Sequence, residues 1–470
     1  MNCDRVPASI DTNDTAALIR RYDRPGPRYT SYPTAVEFDE RFDAIEYRAR
    51  LTEAAALPGE PLSLYVHLPF CAEQCWYCGC TMIAAKSYSL ATRYLDYLAC
   101  EIDLLAAGLG ERRGLAQLHW GGGTPTYLSV SDLARLHGII AGHFELRPGA
   151  EQAIEIDPRV TTREQLTLLR TLGFNRLSMG VQDFNPDVQA AIGRRQSEQT
   201  TRDTFEQARH LGFDSINLDL VYGLPGQTLD RFRVTLDAVV QLRPDRIAVY
   251  SYAHVPWLRP HQTRLDASQL PDAGLKYQLI AAAVDAFGAA GYLAIGMDHF
   301  ARPDDDLAVA AAEHRLHRNF MGYATQPASD MVAVGVSAIG DVRGAYAQNH
   351  KKLSAYYAAL DEGTFPIERG RMLSGDDLVR RHVITELMCN LRVDRRSVTR
   401  RFGIDFDSYF APELALLQSG GGPAADGFVE LTRDALVVTP PGRRFVRTVC
   451  MVFDRYLAAH HATPTFSRTI

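Results

Sequence analysis

The sequence has no uninterrupted apolar run of membrane-spanning length. Its most apolar long stretch, LIAAAVDAFGAAGYLAIG (279–296), is broken by Asp285 and by Gly288 and Gly291. That pattern suits a buried helix followed by a strand better than a span. The first residues, MNCDRVPASIDTNDT, are polar and contain no apolar signal segment, so a cytoplasmic protein away from membranes is expected. An excess of positive charge is also missing. Lys and Arg number 50 against 56 Asp and Glu, a formal net charge of −6, which argues against nucleic-acid binding as the main function. No repeat of 20–50 residues is visible beyond an alternation of strand and helix patterns. Cysteine is scarce, at 8 in 470 residues. Cys3, Cys100, Cys389 and Cys450 are scattered and read as inert thiols. The other four are concentrated in CAEQCWYCGC, residues 71–80. In a reducing compartment such a cluster points to metal binding or redox chemistry rather than to disulfides.

From residue 62 onward, short apolar or β-branched runs alternate with longer amphipathic ones. The candidate strands are LSLYVHL (62–68), LAQLHW (115–120), QAIEID (152–157), NRLSMGV (175–181), SINLDLVYG (215–223) and RIAVYSYA (246–253). Ser129 or Ser131 is a candidate cap for one intervening helix and Thr161 or Thr162 for another, with Gly173 and Gly212 near helix ends. Six βα units in series predict an α/β fold with a parallel sheet. Polar residues recur where these strands should end: His67, the glycines at 121–123, Glu155 with Asp157, Gln182 and Asp219. Both barrels and open α/β sheets build sites there. Before residue 50 lies RRYDRPGPRYTSYPTAVEF, whose prolines disfavour a regular element; composition favours a structural strap over a substrate-covering arm. After about residue 370, helical runs followed by FVEL, ALVVT and a last helix suggest a winged-helix-like module. Such modules bind DNA or simply pack, and fold alone does not decide. The chain thus divides into an N-terminal arm (1–50), an α/β unit with its extension (51–365) and a C-terminal domain (366–470).

A structural zinc site usually draws its ligands from two separated pairs. Here no second pair follows, and the ligands are compressed into one loop. A cubane iron–sulfur cluster needs thiolates close together, and Cys71, Cys75 and Cys78 can hold three corners from a single loop. One iron is then left open.

CxxxCxxC after the first strand, with Tyr77 just before the third cysteine, resembles the motif of radical S-adenosylmethionine enzymes. HWGGGTPTYL, EIDPR and GVQDF follow at the next strand ends. Within that superfamily, YDRPGPRYTSYPTAVEF, YVHLPFCAEQCWYCGCTM, NLDLVYGLP, VYSYAHVP, LHRNFMGY and GVSAIGD resemble the oxygen-independent coproporphyrinogen III oxidases, also called dehydrogenases. The resemblance spans residues 22 to about 341. It implies a partial (βα)6 TIM-like barrel carrying an N-terminal arm and a mostly helical, winged-helix-like C-terminal domain. It also implies the decarboxylation of two propionates of coproporphyrinogen III to vinyl groups, giving protoporphyrinogen IX. A 5′-deoxyadenosyl radical would start each step. The expected cofactors are a 4Fe–4S cluster and S-adenosylmethionine, two molecules of the latter. The expected electron donor is a flavodoxin- or ferredoxin-type protein, and the expected state is a monomer.

The resemblance further assigns Cys71, Cys75 and Cys78 as cluster ligands. Tyr65, Tyr77, Gly122, Gly123 and Thr124 match contacts to the first S-adenosylmethionine. Glu155, Gln182, Arg194, Asp219, Ala253 and Ile339 match the remaining cofactor contacts. Cys80, typical of the decarboxylating enzymes, is expected to serve turnover and not to bind the cluster. Singly, each polar residue also fits a solvated strand end, and Ala253 and Ile339 fit plain core. Two departures fall near the expected second cofactor or substrate: Met321, where the family commonly has Gln, and Arg195, where it usually has an acid. A haem-transferring chaperone is a second reading, disfavoured by Cys80 and the arm. A metal-sensing DNA binder using the basic helix RRSVTRRFG is a third, without support from the net charge.

Overall fold

The structure, a computed structural model, describes residues 12–325, 328–460 and 465–469, with no side-chain description for 12–15. The reading of Cys3 lies outside the described residues. Six strands appear where the sequence pattern puts them: β1 (Leu62–Leu68), β2 (Gly114–Gly122), β3 (Glu145–Ile156), β4 (Arg176–Gln182), β5 (Ser215–Tyr222) and β6 (Arg246–Ser251). They are parallel and adjacent in chain order. Strand β3 starts earlier than its apolar run, because Glu145 and Leu146 pair with Gly114 and Leu115 of β2 before an irregular step leads to the hydrophobic part.

The sheet does not stop at six. Beyond β6 come the short antiparallel strands β7 (Leu293–Ile295) and β8 (His299–Ala301), with β8 against β6. On the other side, β9 (Asp330–Val334) lies parallel to β1. It leads antiparallel into β10 (Ile339–Val342), β11 (Ala345–Asn349) and β12 (Ile367–Met372). The result is one open sheet of 12 strands, its parallel middle forming the partial barrel and its antiparallel wings extending it. This is the expected α/β architecture, enlarged at both edges.

Helix ends follow the local chemistry. Ser129 accepts from the Asp132 amide, and Thr162 forms a reciprocal capping box with Gln165. Gly173 and Gly212 take positive φ of 98° and 80° just past helix ends, where a side chain would be strained. The helix Ser89–Leu109 buries Leu95, Leu98, Ile102, Leu105 and Leu109 against the sheet. The stripe has the 3–4 spacing of an amphipathic helix. Among the described residues no helix is long and apolar enough to cross a membrane.

A second core joins the arm to the C-terminal domain. Ile19, Tyr22, Tyr29 and Tyr32 are buried among Val383, Leu387, Phe410, Phe428 and Phe445. Arg447 donates to the carbonyls of Gly26 and Pro27, and the Tyr29 hydroxyl donates to Asp454 at 3.0 Å. The arm is therefore anchored along the C-terminal domain, as a strap would be. The helix Ala44–Ala55 runs across residue 50 and sends Tyr47, Leu51 and Ala54 into the first core. In the C-terminal domain the two-stranded wing expected from FVEL and ALVVT is joined by a third strand, Arg392–Asp394. In the following basic helix, Arg395–Phe402, two of the four arginines are paired with acids: Arg395 with Asp407, and Arg396 with Asp434.

Candidate functional site

The carboxyl ends of β2 to β6 and the cysteine loop after β1 enclose a cavity of about 400 Å³. Its lining includes Cys71, Cys75, Cys78 and Cys80, together with Tyr77, Gly122, Gly123, Thr124, Glu155, Gln182, Arg194, Asp219 and Ala253. The structure thus brings together most of the residues singled out from the sequence. Tyr65 and Ile339 are not among the lining residues. The Tyr65 ring stacks on His119, which bonds Glu155, and its hydroxyl bonds His67. Ile339 opens β10 opposite Gln348. Met321 does not line this cavity but a smaller chamber of about 130 Å³ deeper in the barrel, which shares Glu155, Ser178, Asp219 and Tyr250 with it. Arg195 is exposed.

The cysteine loop is shaped by a short parallel pairing of Phe70–Cys71 with Ile83–Ala84 and by a turn in which the Cys78 amide donates to the Cys75 carbonyl at 3.3 Å. The His261 ring holds the Cys78 carbonyl at 2.8 Å, and the Gln262 amide donates to the Tyr77 carbonyl at 3.1 Å. Nothing in the sequence around residues 71–80 could have pointed to these two, because their partners are about 185 positions away.

The thiols differ in environment. The Cys71 sulfur sits 3.3 Å from the Thr124 hydroxyl, and burial pushes its thiol up to about 11. The Cys80 amide donates to the Cys78 sulfur at 3.4 Å, and hydrogen bonds from Cys80 pull Cys78 down to about 7. Two guanidinium groups face Cys75: Arg194 Nη1 at 3.7 Å and Arg159 Nη2 at 3.8 Å. Both are anchored on Asp157, at 3.0 and 2.7 Å. Arg194 also donates to the Gly180 carbonyl and to Gln196. Arg159 is the last residue of EIDPR, and only packing brings it to Cys75. Among the described residues no three His, Cys, Asp or Glu side chains converge as ligands of a single ion.

The glycine turn after β2 is set by close approach. A Cβ on Gly122, whose φ is 113°, would stand 2.5 Å from the His67 ring, and one on Gly123 would stand 2.6 Å from the Pro69 carbonyl oxygen. The Gly122 amide donates to Glu155 Oε2 at 3.1 Å. Burial favours the protonated form of Glu155, but the hydrogen bond and charge of His119 and the Gly122 amide outweigh it and hold the acid below its ordinary range. Asp219 is the reverse case. Burial and the nearby charge of Glu155 push it up to about 6, against hydrogen bonds from Ser178 and Asn217. Gln182 takes φ 70° at an irregular step in the pairing of β4 with β5. That bend turns the end of β4 into the cavity.

Three thiols on one loop, a backbone cradle closed to any Cβ, two acids of different charge preference and a buried guanidinium therefore share one cavity. These residues fit an iron–sulfur cluster beside a small zwitterionic cofactor: soft sulfur ligands for iron, acids and amides for polar cofactor groups.

Comparison with known proteins agrees. Residues 65–239 match the family model of the radical SAM superfamily, and residues 373–445 match that of the HemN C-terminal domain. An oxygen-independent coproporphyrinogen III oxidase from Salmonella typhimurium is 46% identical over 454 residues, covering 97% of this chain and 98% of the relative. Its counterpart from Synechocystis is 44% identical over 460 residues, with 97% and 98% covered. A solved structure of coproporphyrinogen III oxidase (HemN) from Escherichia coli, described as a radical SAM enzyme, superposes with a TM-score of 0.88. It is 44% identical and covers 94% of this chain and 98% of that one.

Proposed function

The chain belongs to the oxygen-independent coproporphyrinogen III oxidases, a family of radical SAM enzymes, and from this premise we propose the roles of its site residues. The reaction is oxidative decarboxylation of two propionates of coproporphyrinogen III to vinyl groups in haem biosynthesis, with a 4Fe–4S cluster and S-adenosylmethionine as cofactors. When bound, these cofactors would supply the one-electron chemistry that converts a propionate to a vinyl group with loss of carbon dioxide, the released electron passing to an external acceptor.

The observation that carries the assignment is the enclosure of Cys71, Cys75, Cys78, Gly122, Gly123, Glu155, Arg194 and Asp219 in one cavity. Cys71, Cys75 and Cys78 hold the cluster. Arg159 and Arg194, fixed by Asp157, hold positive charge beside the Cys75 sulfur. Gly122 and Gly123, with Thr124, offer backbone groups to the cofactor at a distance no larger residue permits. Glu155 and Asp219 would offer carboxylate acceptors to its polar groups. Tyr77, Gln182 and Ala253 complete the wall. Tyr65 acts through His119, which orients Glu155. Ile339 and a second S-adenosylmethionine belong to the same proposal. The barrel walls exclude water and other hydrogen donors from the radical. An electron donor of the flavodoxin or ferredoxin type, a monomeric state and a cytoplasmic location complete the reading.

The test is anaerobic incubation of the reconstituted chain with coproporphyrinogen III, S-adenosylmethionine and a reductant, with mass analysis of the porphyrins. Loss of two carboxyl groups is expected; unchanged substrate would sink the reading.

The acids make a pH prediction. Asp219 is protonated below about 6 and ionised above it, and only the ionised form accepts two hydrogen bonds freely. Affinity for S-adenosylmethionine should therefore fall as pH drops through 6, and Asp219→Asn should flatten that dependence. Folding goes the other way. A raised acid binds its proton more tightly in the native chain, so its contribution to stability is lost as pH rises from the ordinary carboxylate range through 6. Equilibrium binding at pH 5 to 8 checks this; a slope unchanged in Asp219→Asn would contradict it.

A further inference from the structure

Arg28 enters the same cavity from the arm. Its Nη2 donates to the Ser251 carbonyl. Among the described residues it has no carboxylate partner, and its Nε and Nη1 have no protein acceptor. A second guanidinium lies behind it, and there the cost of burial is outweighed by Tyr323 and Asp298. Arg318 donates to the Arg28 carbonyl at 3.1 Å and lies over the Tyr323 ring, while its Nε is buried without a partner. Arg447, fully buried, spends its donors on backbone carbonyls of the arm and the C-terminus. The three cations repel one another, and burial together with that repulsion lowers Arg28 from its ordinary value. The one carboxylate that acts on both Arg28 and Arg318, Asp298, is already paired with His299 at 2.7 Å. Buried cations are costly unless an anion meets them. A fold that keeps one at a cavity wall with two donors unused has left room for that anion.

We propose that Arg28 seats a propionate carboxylate of the porphyrinogen, and specifically one that does not react. This deepens the proposed function and rests on it. A guanidinium on the reacting carboxylate would stabilise charge that must disappear as carbon dioxide leaves, and so would oppose the reaction. On a spectator carboxylate the same contact persists unchanged from ground state to transition state. It then contributes to binding and to the choice of which propionate reaches the radical, not to the chemical step. Arg318 positions the arm by holding the Arg28 carbonyl. Arg24, by contrast, is exposed and does not line the cavity.

The test compares Arg28→Gln and Arg28→Lys holoenzymes with the unaltered chain. Arg28→Gln should raise KM for coproporphyrinogen III roughly ten- to a hundredfold, the worth of a charge-assisted hydrogen bond, with kcat within about twofold. Arg28→Lys, which keeps the charge but loses the planar fork, should raise KM less. Iron content and S-adenosylmethionine affinity should stay at the level of the unaltered chain in both. With a porphyrinogen whose non-reacting propionates are methyl esters, the KM difference between Arg28→Gln and the unaltered chain should vanish. An unchanged KM, or a loss confined to kcat, overturns the proposal while leaving the enzyme assignment intact. A weakened S-adenosylmethionine affinity with normal porphyrinogen KM would give the seat to the cofactor's own carboxylate and overturns it too. Failure of the unaltered chain to convert the porphyrinogen at all would be failure of the parent reading instead.

Discussion

Cys75→Ser is expected to bring iron content close to zero after anaerobic reconstitution and to reduce turnover below detection, whereas Cys80→Ser keeps its iron and loses vinyl formation. Cys75 is the most enclosed of the three proposed ligands, buried under Arg159 and Arg194. A serine there is a hard, weakly acidic donor in place of a soft thiolate. The two guanidinium groups would also face an uncharged hydroxyl. Cys80 lines the same cavity and supports the Cys78 sulfur through its side chain and its amide. The amide survives the substitution to serine, and the serine hydroxyl is still a donor, so support for Cys78 is retained. Iron analysis and the visible absorption of the reconstituted proteins separate the cases. Iron lost from Cys80→Ser would make that residue a ligand, and full turnover would make it filler.

Arg112→Ala is expected to be the most destabilising single change outside the site. Arg112 and Asp330 form a pair at 2.6 Å with side-chain exposures of 0% and 1%. Arg112 also donates to the carbonyls of Ala54, Glu60 and Pro61 and to the Ser329 hydroxyl. It therefore ties the chain entering β1 to the start of β9, strands that pair across more than 260 positions of sequence. Removing it leaves the buried Asp330 with the more distant Arg343 side chain, at 3.8 Å, as its remaining cation. Breaking one side of such a pair costs about 3–5 kcal/mol, which in a chain of this size lowers Tm on the order of 5 °C. Arg233→Ala, which breaks an exposed pair with Asp230, should leave Tm within about a degree. Thermal unfolding of the two variants side by side decides; equal Tm values would mean that the buried pair contributes nothing.

Burial also explains why deletion of the arm is a poor probe of its function. Tyr22, Tyr29 and Tyr32 are core residues shared with the C-terminal domain, so a truncation to residue 36 exposes that core at the same time as it removes Arg28. A point substitution at Arg28 separates the two roles.

What the sequence determined by itself was local. Apolar runs and capping residues marked the six parallel strands and several helix ends, because strand burial and capping act within a few residues. The spacing of Cys71, Cys75 and Cys78 carried a cluster motif for the same reason: the three ligands share one loop. Glycines 121–123, Glu155, Gln182 and Asp219 were legible because strand ends in a βα series must point the same way. What only the tertiary structure decided was long-range. Strand β9 pairs with β1 although nothing in DMVAV names its partner. His261 and Gln262 clasp the cysteine loop from across the cavity. Tyr65 and Ile339, matched by motif, stand outside the cavity lining. Arg24 and Arg28 are alike in the sequence, and only packing sends one to solvent and the other into the cavity wall. A chain pattern encodes which face an element buries, but not which distant charge or carbonyl it will meet there, since that depends on how whole elements pack together.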